Sequence, residues 1–189
     1  IVDLKKHLTV EKFAKIKYAV VQSGVGLDLG NQVNTGKFNP DRLQKMVNIC
    51  NNHNLLSKEH NGDYLSLNDM QLRFNYGLNA INIAPEFGQF ETDIYLDIVK
   101  TIDGGYFEDL YQICYKSKRW EKWVKPDFNP EKEKEKIIKI SGHYIFSEPD
   151  FDNLKKRIAH QLEIDISILN ERVKNKIKDY LFTFQEIIA

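Results

Sequence analysis

Net charge is absent from this chain: 27 Lys plus Arg balance 27 Asp plus Glu across 189 residues. A general polyanion binder carries a basic excess or stripe, so the balance argues against a nucleic-acid partner while leaving room for a local phosphate site. Cysteine is scarce. Cys50 and Cys114 sit among apolar, helix-like residues without a CxxC pattern. That suits two buried free thiols in a cytosolic protein better than a disulfide framework. No apolar run approaches the about 18 residues that a membrane span needs. The start, "IVDLKKHLTVEKF", is too charged for a signal peptide. It opens on Ile rather than Met, as in a processed chain or a piece of something longer. The expectation is a cytoplasmic protein with no membrane partner. Its length and ordinary composition are enough for one domain with a real core.

What is present is a strand–loop–helix pattern, met three times. "KIKYAVVQSGVG" reads as a strand from Lys17 to Gln22 that runs into a Gly-bearing loop. Its continuous apolar run suits a strand covered on both faces. After the loop-like "LGNQVNTGKF" comes a helix in "NPDRLQKMVNICNNHN". Asn39 can cap it, Pro40 suits its first turn, and Asp41 complements its dipole. Leu43, Met46, Val47 and Cys50 share one face. "LLSKEH" is the second strand, with a short helix in "LNDMQLRFNYG". "NAINIAPEFG" is the third, ending at Pro85, followed by a helix in "TDIYLDIVKTI". Such alternation implies parallel strands joined by crossovers.

Beyond Gly105 the character changes. "YFEDLYQICYKSKRWEKWVK" is aromatic-rich and helical in pattern, and "PDFNPEKEKEK" is a charged linker running into a solvated helix start. "EPDFDNLKKRIAHQLE" and "DISILNERVKNKIKDYLFTFQEII" read as helices. Leu169, Val173, Ile177, Tyr180, Leu181 and Phe184 make a long stripe in the last, expected to pack on this protein's own body. The division expected from this reading is 1–105 for the βα units and 106–189 for a helical extension.

In parallel α/β folds the chemistry lies at the C-terminal ends of strands. The first strand ends in Gln22, Ser23 and Gly24. The second ends in Glu59, His60, Asn61, Asp63 and Tyr64. The third carries Asn82 and ends in Pro85 and Glu86. His60 beside two carboxylates can ligate a divalent metal or transfer protons, and a strand-end His in a plain hydrogen-bond network is an equal alternative. Gly24 and Gly26 can let backbone approach a phosphate, although most loop glycines only make turns. His143, after Gly142, is a further polar group in an apolar setting.

On these residues the chain resembles the C-terminal half of the D-tagatose-bisphosphate aldolase subunit family, in its larger, Z-type or "non-catalytic" form. That family has Val-Val-Gln-Pro-Gly-Val, then Glu-Ala-His-Ser-Thr-Asp-Tyr, then a strand ending in Gly-Pro. "VVQSGV" supplies Gln22 and Gly24, "KEHNGDY" supplies His60, Asp63 and Tyr64, and "NIAPEF" supplies Pro85. Glu59 directly precedes His60, where the family has one residue between. Ser23 stands in place of the family's Pro. In the tail, "RWEKWVK" resembles a Tyr-Trp-Lys-Lys-like segment. "KISGHYIF" keeps aromatics at Tyr144 and Phe146 but has Ser141 and His143 in place of arginines.

The resemblance implies the last three βα units of a (β/α)₈ TIM barrel, a fold that takes about 250 residues when whole, followed by a helical tail. It implies a class II aldolase-like enzyme of carbohydrate metabolism. Such an enzyme acts on a sugar (bis)phosphate through a metal-stabilised enediolate, and sugar epimerisation is a close relative of that chemistry. The implied roles are Glu59, Asp63 and Glu86 in catalysis, and Gln22, Ser23, Gly24, Asn82 and His143 in substrate binding. His60 would hold a divalent metal such as zinc. The family equally implies a non-catalytic subunit that stabilises an aldolase partner, or a homo-oligomer. A self-standing small α/β domain, its three strands paired with one another, is the remaining alternative.

Overall fold

The computed structural model describes residues 1–102, 104–165 and 167–188. In chain order its elements are α1 (Val2–His7), α2 (Val10–Ala14), β1 (Tyr18–Val21), β2 (Leu27–Asp28), β3 (Val33–Asn34), α3 (Pro40–Asn51), β4 (Leu56–Glu59), α4 (Leu67–Asn75), β5 (Ala80–Ile81), α5 (Pro85–Thr101), α6 (Tyr106–Lys116), α7 (Lys134–Ile145), α8 (Pro149–Leu162) and α9 (Ser167–Ile188). They form two compact units. The first is Ile1–Asp28 with Val33–Ala84, and the second is Leu29–Gln32 with Pro85–Ala189.

The first unit is built on a parallel sheet in the order β1-β4-β5. Tyr18 pairs with Leu56, Val21 with Glu59, and Glu59 with Ile81. Parallel neighbours need a crossover, and α3 and α4 supply the two. The start of α3 follows from its sequence: the Asn39 side chain accepts the Arg42 N–H at 2.9 Å, with Pro40 in the first turn. Leu43, Val47 and Cys50 pack from α3 against Val21 and Leu55. Ser66 caps α4, accepting the Asp69 N–H at 3.1 Å. Gly77, at a φ of +86°, ends it in the left-handed turn that a helix C-terminus favours.

Among the described residues, the first unit covers one face of its own sheet. Val21 is 2% exposed while Val20 beside it is 57% exposed, so β1 is not the doubly covered strand that its apolar run suggests. The described residues form an open sheet of three strands, not a closed barrel. The segment after β1 is also more ordered than a loop. β2 and β3 pair antiparallel, Leu27 with Asn34 and Asp28 with Val33.

The second unit is helical. Ile94, Tyr95, Leu96 and Val99 of α5 share a core with Leu110, Tyr111 and Cys114 of α6, Ile137 and Ile138 of α7, and Phe151 and Leu154 of α8. Gly142 lets α7 lie directly on α5, because a Cβ there would strike Thr92. α5 is longer than its apolar stripe suggests. It starts at Pro85, so Glu86 is a helical rather than a strand-end residue. The helix packing also explains why the compact units divide between Ala84 and Pro85, whereas the repeat pattern groups α5 with the strands before it. On α9, Val173, Tyr180 and Phe184 are half-buried, and Ile177 and Leu181 are 37% and 58% exposed. The Leu169 side chain lies outside the described residues. Cys50 and Cys114 are both buried free thiols. Among the described residues no helix is long and apolar enough to cross a membrane.

Candidate functional site

Strand alternation sorts the residues at the end of β4. Successive side chains point to opposite faces of a sheet. Ser57 and Glu59 turn to the covered face, and Lys58 turns to the bare one. Glu59 is fully buried. It accepts the Ser23 backbone N–H and the Ser23 hydroxyl, the latter at 2.7 Å, and is paired with Arg73 Nε of α4 at 3.0 Å. Arg73 is 2% exposed. It donates from Nη1 to the Asp69 carbonyl at 2.9 Å and lies 4.5 Å from the centre of the Phe38 ring. A carboxylate this enclosed pins the loop after β1 to β4 and α4, and it is not presented to a substrate.

The loop after β4 is held in an unusual backbone path. Asn61 and Tyr64 both have φ of +59°, a region that non-glycine residues enter at some cost and that clusters at functional sites. Hydrogen bonds from both sides hold it there. Gly62 N–H donates to the Asn82 carbonyl at 2.9 Å, and Ala84 N–H donates to the Asp63 carboxylate at 2.9 Å. The Asn34 amide donates to the carbonyls of Asn61 and Asp63, each at 2.9 Å. Its oxygen accepts the N–H of Gly26 at 3.3 Å and of Gly36 at 3.1 Å. Asn34 therefore couples the loop after β1 to the loop after β4. Gly24, at a φ of +107°, allows the stem of the first loop to close, because a Cβ would collide with the Lys37 carbonyl.

The first unit therefore brings together Gln22, Ser23, Gly24, Glu59, His60, Asp63 and Asn82 at the C-terminal ends of its strands. Gln22 and Asn82 are exposed and His60 is half-buried, while Ser23 and Asp63 are buried. The other two expected residues belong to the second unit. Glu86 stands in the first turn of α5, where its carboxylate accepts the Tyr180 hydroxyl at 2.5 Å and lies 3.7 Å from Lys176 Nζ. His143 lies on α7 with Gly88 against its Cβ and the Tyr144 ring at 3.9 Å. Burial, followed by the charge of Lys122, lowers its pKa to about 4, so the ring is neutral near pH 7.

Three residues escaped the sequence reading: Lys58, Arg73 and Asn34. Alternation along β4 was enough to find Lys58, two residues before His60. No local signal marks the pairing of Arg73 with Glu59, 14 positions away, or of Asn34 with the carbonyls of Asn61 and Asp63, 27 and 29 positions away. A zinc ion needs about four ligands, three of them from the protein in a catalytic site. Among the described residues no three His, Cys, Asp or Glu come together, and Glu59 is enclosed by Ser23 and Arg73. These residues do not build such a site by themselves. A cavity of about 510 Å³, lined by Leu8, Phe13, Ile16 and Leu55 together with Lys5 and His53, lies where the chain enters β4 and so at the opposite end of the strand from His60.

No family model and no curated protein matches the sequence. Among solved structures the chain is similar to a probable tagatose 6 phosphate kinase from Sinorhizobium meliloti 1021, at 15% identity and a TM-score of 0.57. The match covers 92% of this chain and 54% of that one. The chain thus spans little more than half the length of that structure. At this identity the likeness is one of fold.

Proposed function

We propose that this chain serves sugar-phosphate metabolism, through a site at the C-terminal ends of β1, β4 and β5. One observation carries the reading: the half-buried imidazole of His60 stands at a strand end, on a loop forced into a left-handed path, between exposed amides from both neighbouring strands. Two others support it. The "HNGD-Tyr64" element resembles a sugar-bisphosphate aldolase subunit, and the similar solved structure is named for tagatose 6 phosphate. In the lead version the chemistry is aldol cleavage or epimerisation. His60 moves a proton next to the substrate carbonyl, Gln22 and Asn82 orient hydroxyl groups, and Asp63 holds the loop.

The second reading is a stabilising, non-catalytic subunit. It is favoured by the commitment of Glu59 to Ser23 and Arg73, which keeps one of the expected catalytic carboxylates away from a substrate. The test is equilibrium binding and turnover of tagatose 6-phosphate and its bisphosphate by natively purified protein, with a His60→Ala variant beside it. Binding and turnover that both fall in the variant support the enzyme. Binding without turnover supports the stabilising subunit, and absence of binding refutes the site.

A further inference from the structure

The cavity where the chain enters β4 lies wholly within the first unit. Its floor is apolar. Leu55, just before β4, belongs to the core of the unit, and Phe13 of α2 and Ile16, just before β1, pack against that core. Leu8 and Val10, on either side of Thr9, add further apolar surface. Val10 is 89% exposed, more than any other large apolar side chain described. The cavity measures about 510 Å³, inside the range of about 300–1,000 Å³ that small-ligand pockets occupy.

Three polar side chains line the same cavity: Lys5, His53 and Asn54. The turn that ends α3 brings the last two there. Leu55 N–H donates to the Cys50 carbonyl at 3.0 Å and Asn54 N–H to the Asn51 carbonyl at 3.0 Å, with Asn54 at a φ of +57°. Asparagine enters that left-handed region more readily than most residues. Among the described residues, none of the three side chains has a hydrogen-bond or ion-pair partner. The Lys5 ammonium lies 4.9 Å from the centre of the Phe13 ring. No carboxylate is among the described residues that line the cavity. An ammonium can only donate, and an imidazole and a primary amide each have an N–H to offer. An apolar floor thus meets three unengaged donors.

We infer that this cavity binds a small amphipathic carboxylate, with its hydrocarbon body on Phe13, Ile16 and Leu55 and its oxygens on Lys5, His53 and Asn54. A carboxylate fits because its two oxygens accept from several donors at once. Two opposing charges decide the sign of the ligand. α3 ends beside the cavity, and a helix C-terminus carries roughly half a negative charge, whereas the Lys5 ammonium brings a whole positive one. The turn after α3 also draws on the carbonyls of Cys50 and Asn51, which reduces what the helix end offers a cation. A bound hydrocarbon covers Val10 and displaces water from the floor. The inference is independent of the sugar-phosphate reading, since the cavity and His60 lie at opposite ends of β4.

The experiment is isothermal titration calorimetry of the natively purified protein with octanoate, beside octylamine and octan-1-ol. Saturable binding of octanoate is expected, with the amine and the alcohol weaker by about tenfold or more, the factor that a charge-assisted hydrogen bond supplies. Lys5→Gln should weaken octanoate about three- to tenfold and shrink its advantage over octan-1-ol by the same factor. Ala14 lines the cavity and is exposed, so Ala14→Trp fills the space without entering the core and should abolish binding. Absence of saturable octanoate binding overturns the inference, including the case in which other polypeptide fills the cavity. Octylamine binding as tightly as octanoate, an unchanged affinity in Lys5→Gln, or binding that survives Ala14→Trp would each overturn it as well.

Discussion

Replacing Arg73 with Met removes one half of an ion pair whose partners are 2% and 0% exposed. The carboxylate of Glu59 then stays buried with only its two Ser23 donors. Breaking a buried pair in this way costs about 3–5 kcal/mol, because the surviving charge is left uncompensated. Met also abandons the bond to the Asp69 carbonyl and the contact with Phe38. Both tryptophans, Trp120 and Trp123, belong to the second unit, so fluorescence does not report on this change. Hydrogen exchange followed by mass spectrometry over α3 and β4 does. Those amides should exchange about a hundred- to several-thousand-fold faster, the factor equivalent to that free energy. Arg73→Lys should recover little, since an ammonium cannot reach Glu59, bond Asp69 and lie flat on Phe38 at once. Combining Arg73→Met with Glu59→Gln should recover much of the loss, because the amide still accepts from Ser23 without burying a charge. A change of less than about tenfold in Arg73→Met would refute the reasoning, placing the pair in the range of an exposed one.

Other outcomes follow from separate features. His143 has its pKa lowered from 6.5 to about 4 by burial and Lys122, so the unfolded chain binds a proton that the folded chain refuses. Its contribution is full above pH 6.5 and is lost as pH falls toward 4; titration of the ring by NMR should show it neutral at pH 5.5 or about that, and His143→Leu should flatten that part of the stability profile. Gly142→Leu forces a side chain onto Thr92, and thermal melting should show a loss of about 1–3 kcal/mol or more from overpacking. Gly24→Ala combines a φ of +107° with a blocked Cβ position, and should lower the melting temperature by more than a loop glycine elsewhere, at a cost above about 1 kcal/mol. Tyr180→Phe leaves Glu86 without that donor, and faster hydrogen exchange along α9 should report about 1–3 kcal/mol.

The elements most legible in the sequence are those whose signals are local. The Asn39–Pro40–Asp41 signal places the start of α3 at Pro40, and the spacing of Leu43, Val47 and Cys50 places its buried face. The apolar openings of β1 and β4 likewise locate two strands. The start of α5 was hidden because Pro85 reads as the end of a strand and because Glu86 and Gln89 are polar. They are buried on account of distant partners: Tyr180 for Glu86, and the carbonyls of Leu29 and Lys139 for Gln89. At the site, the clustering of polar residues at strand ends was visible, but their division into buried and presented groups was not. Glu59 and His60 look equivalent in a string of polar letters, yet one pleat separates a carboxylate locked on Arg73 from an imidazole at the rim. A period of two along β4 points to that difference; the identity of the partner on α4 does not follow from it.

The enclosure of Glu59 by Ser23 and Arg73 bears on how relatives of this chain are to be compared. A charge that cannot be lost singly without leaving its partner buried and bare is inherited as a pair. Across divergent sequences positions 59 and 73 should therefore covary, both kept or both replaced by apolar residues, with position 23 following the acceptor. A search for functional residues by retention alone would rank this trio beside His60. Sequences that exchange the whole trio and keep His60 would separate what the architecture demands from what the chemistry demands.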